Sequence, residues 1–321
     1  MRDTDYAYCV ARIRANERYL LKEKELSELI ECKNLDSALQ YLLDKKWLNE
    51  KGEISECIKY QNDKLWQLLS ESVPDKNELG VLCVVNDFFN IKAAVKCHFA
   101  GKDPYDYYIQ PTTLNLSELT EKVASHKFSA IDGSKGKCAE ESYKTACLTE
   151  NGQNADIIID RACIDEIKAF ADKKGGSITA EICRFLCDTA NIKIAFRCAE
   201  TEKKRDFTET AIGECSAVSR KDLIEAALGG KDALSEYLAK TSYRDGAEIY
   251  LSSSAEYEKW CDNKIIAIAK KSAFKAFGFD PVCAYYYAKL TEIKCVRIIL
   301  TGLKSGAEKS EIKERMRALY V

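Results

Sequence analysis

One apolar pattern, written three times at near-even spacing, constrains this chain more than any other feature. Counting from an acidic residue, positions −6, −2, +1, +4 and +8 are Val81, Val85, Phe88, Ile91 and Val95 around Asp87. Around Asp188 they are Ile182, Leu186, Thr189, Ile192 and Phe196, and around Glu292 they are Tyr286, Leu290, Ile293, Val296 and Leu300. Steps of 4, 3, 3 and 4 follow one face of an α-helix, and only Thr189 is not clearly apolar. Each copy therefore predicts a helix of about five turns or more with a broad buried stripe. Asp87 to Asp188 is a step of 101 residues and Asp188 to Glu292 one of 104, so the chain reads as one helical module copied three times.

Each stripe carries a polar triplet: Asp87, Asn90 and Lys92; Asp188, Asn191 and Lys193; Glu292, Cys295 and Arg297. At roughly 100° per residue the acid stands off the stripe and the amide lies nearly opposite it. The basic residue falls at the stripe's edge, where its alkyl stem can pack while its head reaches a partner. An acid and an amide at i, i+3 share a helix side and could bind a ligand or serve acid–base chemistry. They could equally tie the helix to a neighbouring helix or loop. Three equivalent copies favour that structural role over contact with a partner protein, and both over catalysis, which rarely needs three copies in one chain. Arg12 and Arg14, which share the amphipathic first helix with Glu17, divide between intramolecular pairing and a binding surface.

At 321 residues the chain is too long for one small core and suits two or three subdomains. Only four prolines, with long runs rich in Ala, Leu, Glu and Lys, favour an all-α protein. A net charge of −2, from 49 basic and 51 acidic residues, argues against a general nucleic-acid binder. No run of eighteen apolar residues occurs and the start of the chain is charged, so a soluble, unexported protein is expected, with any membrane role exerted through a partner.

Chemistry-bearing motifs are missing. Fifteen cysteines in such a chain read as reduced, mostly buried thiols; there is no CxxC, and Cys183 with Cys187 lacks further ligands, so no metal site is expected. The two histidines, His98 and His126, each have a valine three residues before them, not the Glu of a di-iron pair. Neither HExxH, GxSxG nor a kinase signature occurs. The polar stretch 132–137 is expected as a solvated loop: its glycine spacing is too short for a phosphate loop, and Cys138 stands where a Ser or Thr is required. No catalytic residue and no cofactor is expected.

Along the chain, helices are expected over about 6–21, 55–73 and 76–99, the last closed by Gly101, and a proline-bearing linker over 102–113. Further helices are expected over about 116–125, 140–148, 157–173 and 179–200, followed by a charged loop at 202–210. The last third should hold helices over about 254–273, 281–303 and 309–320. Ala38-Leu39 with Leu43 and Trp47 corresponds to Ala233-Leu234 with Leu238 and Tyr243. These signals divide the chain into repeats at 1–103, 104–203 and 204–321.

The order of several short elements resembles a known family. They are Tyr8, Ala11-Arg12-Ile13-Arg14-Ala15 and Glu17; Asn86-Asp87 with Asn90-Ile91-Lys92; Asp160-Arg161; Asp188 with Asn191-Ile192-Lys193; Leu238, Thr241 and Tyr243; and Lys289, Glu292-Ile293 and Val296-Arg297. Over its full length the chain is similar to the C subunit of the V/A-type ATP synthases, which is related to the d subunit of the eukaryotic vacuolar ATPase. Leu290 and Cys295 stand where that family often has Glu and Asn, so the polar pairing of the third copy should be thinner. The resemblance implies an all-α, funnel-shaped subunit of three similar helical domains in pseudo-threefold arrangement. It implies a non-catalytic rotor adaptor that couples the central-stalk subunits to the membrane rotor ring for ATP-linked proton or sodium transport. Such a protein would lie at the cytoplasmic face of the membrane, held there by its partners. The competing expectation is a generic α-helical repeat scaffold for protein–protein contact.

Overall fold

The computed structural model describes residues 2–149 and 152–321. Helices make up the regular structure, with no strand among the described residues. In chain order they are α1 (Ala7–Glu17), α2 (Glu23–Ile30), α3 (Leu35–Asp44), α4 (Ile54–Ser72), α5 (Lys76–Ala100), α6 (Leu116–Ala124), α7 (Gly133–Thr149) and α8 (Gly152–Lys174). There follow α9 (Ile178–Glu200), α10 (Arg205–Ala211), α11 (Arg220–Leu228), α12 (Lys231–Leu238), α13 (Arg244–Ser252), α14 (Ser254–Lys270), α15 (Asp280–Ser305) and α16 (Lys309–Glu314). Short 3-10 turns cover Asp3–Tyr6, Pro104–Asp106, Phe128–Ala130 and Lys271–Phe274.

The chain forms two compact units, one of residues 1–79 with 249–321 and one of residues 80–248. In the first, α15 is the axis against which α1, α2, α3, α4 and α14 pack. Its buried face meets Leu26, Leu29, Leu42 and Trp47 through Ile293, Val296, Ile299 and Leu300. Pro281 fits the first turn of α15, where a missing N–H costs no hydrogen bond. Near the other end, a Cβ on Gly302 would stand 2.7 Å from side-chain carbons of Ile312, so only glycine lets α16 fold back this closely.

In the second unit α8 lies between α7 and α9, α10 packs on α8, and α11 and α12 pack on α9. Its core joins Phe88, Ile91 and Val95 of α5 to Ile158, Ile159, Ile164 and Ile167 of α8 and Cys183 and Cys187 of α9. The stretch 132–137, expected as a loop, instead supplies the first turn of α7. A Cβ at Gly136 would stand 2.4 Å from the Ile131 carbonyl oxygen and 2.5 Å from that of Phe128, so glycine here permits a backbone crossing and does not signal a solvated loop. The expected charged loop at 202–210 is largely α10, and the last helix stops at Glu314, six residues early.

The apolar stripes need one correction. Positions +1, +4 and +8 are buried in all three copies, but position −2 is not, and Val85 is 59% exposed. The polar side of each helix is also covered: Asp87, Asn90, Asp188 and Asn191 have no exposed surface. A one-faced helical reading fails because loop segments cover the face opposite the apolar stripe. Such burial is tolerable only where every polar group is hydrogen-bonded.

Candidate functional site: three buried carboxylate clamps

Each clamp is an acid and a residue one turn later holding an irregular segment that leads into a helix. In α5, Asp87 accepts hydrogen bonds from the Thr113 backbone N–H at 2.8 Å and from the hydroxyls of Thr112 and Thr113. The Lys135 ammonium completes the set at 2.7 Å. Asn90 grips the same segment in both directions, donating to the Ile109 carbonyl at 2.9 Å and accepting from the Ile109 N–H at 2.8 Å. Asn86 adds a bond to the Pro111 carbonyl at 2.8 Å. The proline-bearing stretch 102–113 is thus pinned to α5, and it lies inside the second unit.

Asp188 of α9 repeats the arrangement with different donors. It accepts from the N–H groups of Ser216 at 2.6 Å and Ala217 at 2.8 Å, and from the Tyr243 hydroxyl at 2.8 Å. Asn191 donates to the Glu214 carbonyl at 3.0 Å and accepts from the Gly213 N–H at 2.8 Å. Burial, then the Asp188 charge, hold the Tyr243 phenol protonated far above the usual tyrosine range. Tyr243 therefore acts as a donor throughout the physiological range.

The third clamp is assembled from both ends of the chain, within the first unit. Glu292 of α15, 1% exposed, accepts from the Leu21 N–H at 2.6 Å, the Trp47 indole N–H at 2.7 Å, and the Lys289 ammonium. Burial pulls the Lys289 ammonium down from its ordinary range, against the opposing pull of Glu292. Cys295 occupies the amide's place, and its thiol makes only a long contact, 3.9 Å, with the Arg317 carbonyl.

The parallel extends to the helix after each held segment. The Asp87 segment runs into α6, whose first turn is capped by Asn115, and the Asp188 segment runs into α11, capped by Ser219. The Glu292 segment, Leu21, runs into α2. Tyr243 lies as far beyond Ala217 as Trp47 lies beyond Leu21, 26 residues in each case. Leu42 and Leu238, each five residues before the aromatic donor, are both fully buried, so Leu42 and not Leu43 matches Leu238, and the pairing of Ala38-Leu39 with Ala233-Leu234 read from the sequence is one residue out of register with it.

The other sequence candidates fall into distinct settings. Lys92 pairs with Asp160 on α8, and Lys193 is half-buried on α9. Arg12 contacts Glu71 of α4 at 3.3 Å and lies over the Tyr8 ring. Arg14 pairs with Glu17 at 2.7 Å and donates to the carbonyls of Ser272 at 2.7 Å and Lys275 at 3.2 Å. Arg297 is exposed and, with Lys294, Thr301, Arg315 and Arg317, lines a cavity of about 410 Å³. Sequence reasoning missed Lys135, Trp47 and Lys289 as donors to the acids. The match of Trp47 with Tyr243 was the signal available for Trp47.

These contacts make the acids backbone anchors. Each carboxylate is saturated by three or more donors, and hydrogen bonds to a charged acceptor contribute about 1.5–3 kcal/mol apiece. None of the three acids lines the 410 Å³ cavity. The buried thiols are chemically quiet: burial pushes Cys83, Cys138 and Cys183 up to about 12, and Cys9 and Cys295 up to about 11. No group of three or more His, Cys, Asp or Glu side chains among the described residues could hold a metal ion. No helix among the described residues is long and apolar enough to cross a membrane.

Comparison with known proteins gives one consistent result. The profile of the ATP synthase (C/AC39) subunit family matches residues 9–315. The C subunit of the V-type sodium ATPase of Enterococcus hirae is 21% identical over 318 residues, covering 96% of this chain and 97% of the relative. The C subunit of the A-type ATP synthase of Methanocaldococcus jannaschii is 25% identical over 351 residues, covering 98% and 86%. That of Haloquadratum walsbyi is 22% identical, covering 96% of each chain.

Proposed function

The chain belongs to the ATP synthase (C/AC39) subunit family, and from that premise we propose that it is a non-catalytic rotor adaptor of a V/A-type ATPase or ATP synthase. In this reading it joins the central-stalk subunits to the membrane ring and transmits torque for ATP-linked proton or sodium transport. It sits at the cytoplasmic face of the membrane through those partners. Three modules, at 1–103, 104–203 and 204–321, form a funnel with pseudo-threefold arrangement, and Arg12 and Arg297 belong to its contact surfaces.

The observation that supports this most is the full-length family match, which runs through all three clamps. A torque-bearing part needs stiffness and durable contacts, and it needs no reactive group. The clamps supply stiffness: each fixes an irregular segment to a long helix through buried, charge-assisted bonds. The decisive experiment is reconstitution of the ATPase with and without this chain. Stable recovery of stalk and ring together only when it is present supports the adaptor role, and ATP-driven ion pumping that persists without it overturns that role. A solution scattering envelope tests the funnel, which an elongated superhelix would exclude.

A further inference from the structure

Between Asn263 and Phe279 the chain carries Lys264, Lys270, Lys271 and Lys275 and no carboxylate. Here α14 gives way to the 3-10 turn Lys271–Phe274, and residues 273–277 are all exposed. Phe274 is 98% exposed and Phe277 48%. Phe279, by contrast, turns inward and meets the edge of the Tyr6 ring at 6.2 Å.

The base of this turn is pinned. Arg14 holds the carbonyls of Ser272 and Lys275, the buried Ser272 hydroxyl lies 3.3 Å from that of Tyr320, and the Gly278 N–H donates to the Asp3 carbonyl at 3.2 Å. The acids that face it are largely neutralised. Asp280 is paired with Lys275 at 2.5 Å, Glu17 with Arg14, and Asp5 lies 3.6 Å from Arg2; Glu78 accepts from the Tyr6 hydroxyl behind Phe279, and Asp3 lies beside Gly278. Two aromatic rings are thus held outward on a fixed base, within a segment whose own charged residues are all lysines.

We propose that the Phe274–Phe277 turn is an interfacial anchor for an anionic lipid surface. Its two rings enter the head-group region, and Lys270 and Lys271 lie over the lipid phosphates and carboxylates. Aromatic rings beside lysines suit this boundary, because the rings gain an apolar environment while the ammonium groups stay among anionic head groups. The unbroken cationic run favours a lipid surface over a protein pocket, whose contact would be expected to match individual charges. Arg14 acts as a positioning residue that keeps the turn's carbonyls tied down. The inference concerns the isolated chain and is independent of the adaptor reading.

The test is cosedimentation of the purified full chain with vesicles of phosphatidylcholine alone and of phosphatidylcholine containing one-third phosphatidylserine. Wild type should pellet with the mixed vesicles only. F274S/F277S should lower the bound fraction about tenfold or more, given how strongly interfacial binding depends on buried apolar area. K270S/K271S should weaken binding and flatten its salt dependence. F274W/F277W should retain binding and show blue-shifted emission with the mixed vesicles. All these side chains are exposed, so unchanged circular dichroism checks that each variant is folded. Two outcomes overturn the proposal: wild type remaining in the supernatant with both vesicle types, as a protein-docking turn would, or F274S/F277S pelleting like wild type.

Discussion

Glu292 accepts a 2.6 Å hydrogen bond from the backbone N–H of Leu21, 271 positions earlier in the chain. In the other two clamps the held segment follows its own helix along the chain: Ile109 to Thr113 after α5 and a 3-10 turn, and Gly213 to Ala217 after α9 and the short α10. In the third, the segment is split. Arg317 near the chain's end takes the amide-side contact, and Leu21 near its start takes the acid. Cys295 to Arg317 and Asn191 to Gly213 both span 22 residues, so the split lies within an otherwise equivalent motif. The third clamp therefore joins a segment from the N-terminal part of the chain to α15.

Removing the acid should therefore cost far more than an ordinary surface change. Asp188→Ala leaves the N–H groups of Ser216 and Ala217 and the Tyr243 hydroxyl without their acceptor. We expect a loss of about 3–5 kcal/mol. Tyr243→Phe removes one donor of three and should cost about 1.5–3 kcal/mol. Urea denaturation followed by far-UV circular dichroism measures both, and a larger loss for Tyr243→Phe than for Asp188→Ala would contradict the clamp.

The amide position should show an asymmetry. Asn90→Ala and Asn191→Ala each strand a backbone N–H and a carbonyl, a loss of about 2–3 kcal/mol. Cys295→Ala gives up only a long sulfur contact and a small volume, about 1 kcal/mol. Hydrogen exchange at Ile109 and Gly213 should accelerate in the matching Asn variants. Equal destabilisation by all three substitutions would show that Cys295 holds its segment as firmly as the amides do.

Different parts of this arrangement were legible in the sequence to different degrees. The helices α5, α9 and α15 were readable because their apolar residues recur at helical spacing over several turns. The match of Trp47 to Tyr243 was readable too, although adjacent leucines at 42 and 43 shifted its register by one. Burial of Asp87 and Asp188 was not readable, because helical phase identifies one apolar face and is blind to a loop covering the other. The closure between Leu21 and Glu292 was hidden for a related reason: a linear repeat gives its period but not which distant segment completes the last copy. Gly136 misled because glycine serves a tight crossing as readily as a solvated turn.

Beside Glu292, the buried pair with Lys289 sets up a compensation test. Glu292→Ala alone leaves the Lys289 ammonium, the Leu21 N–H and the Trp47 indole unpaired, and should cost about 3–5 kcal/mol. Lys289→Met combined with Glu292→Gln removes both charges at similar volume but turns an amide NH2 towards one of the two N–H donors, so it should cost about 1–3 kcal/mol, less than Glu292→Ala. Chemical denaturation of Lys289→Met, Glu292→Gln and their double variant gives the coupling directly. A double variant as unstable as Glu292→Ala would mean that the charge itself, and not the filling of the site, holds the segment.

Acid should loosen α16 from α2. Glu31 pairs with Lys309 at 2.8 Å and Lys313 at 3.0 Å, and hydrogen bonds from these lysines lower its carboxyl to about 2. A carboxyl lowered on folding contributes stability that is fully present above its unfolded value, roughly 4.3 for a glutamate. That contribution is lost as pH falls through the folded value. The difference in urea midpoint between wild type and Glu31→Gln should therefore be constant near neutral pH and close between about pH 4.3 and 2. High salt should shrink it at every pH, because the site is exposed. A difference that persists unchanged to pH 2 would assign the effect to something other than the ion pairs.

Packing at the other face of α16 gives the sharpest steric prediction. Gly302 lies on α15 where an added Cβ would stand 2.7 Å from two side-chain carbons of Ile312, itself 2% exposed. Gly302→Ala should therefore destabilise by about 1–3 kcal/mol despite the higher helix propensity of alanine. Truncating the opposing side chain to its Cβ removes both clashing carbons, so Gly302→Ala with Ile312→Ala should be more stable than the sum of the two single losses predicts. Thermal denaturation of the four proteins measures the coupling. Simple additivity would mean that α16 moves aside freely, and that Gly302 is not what sets its distance from α15.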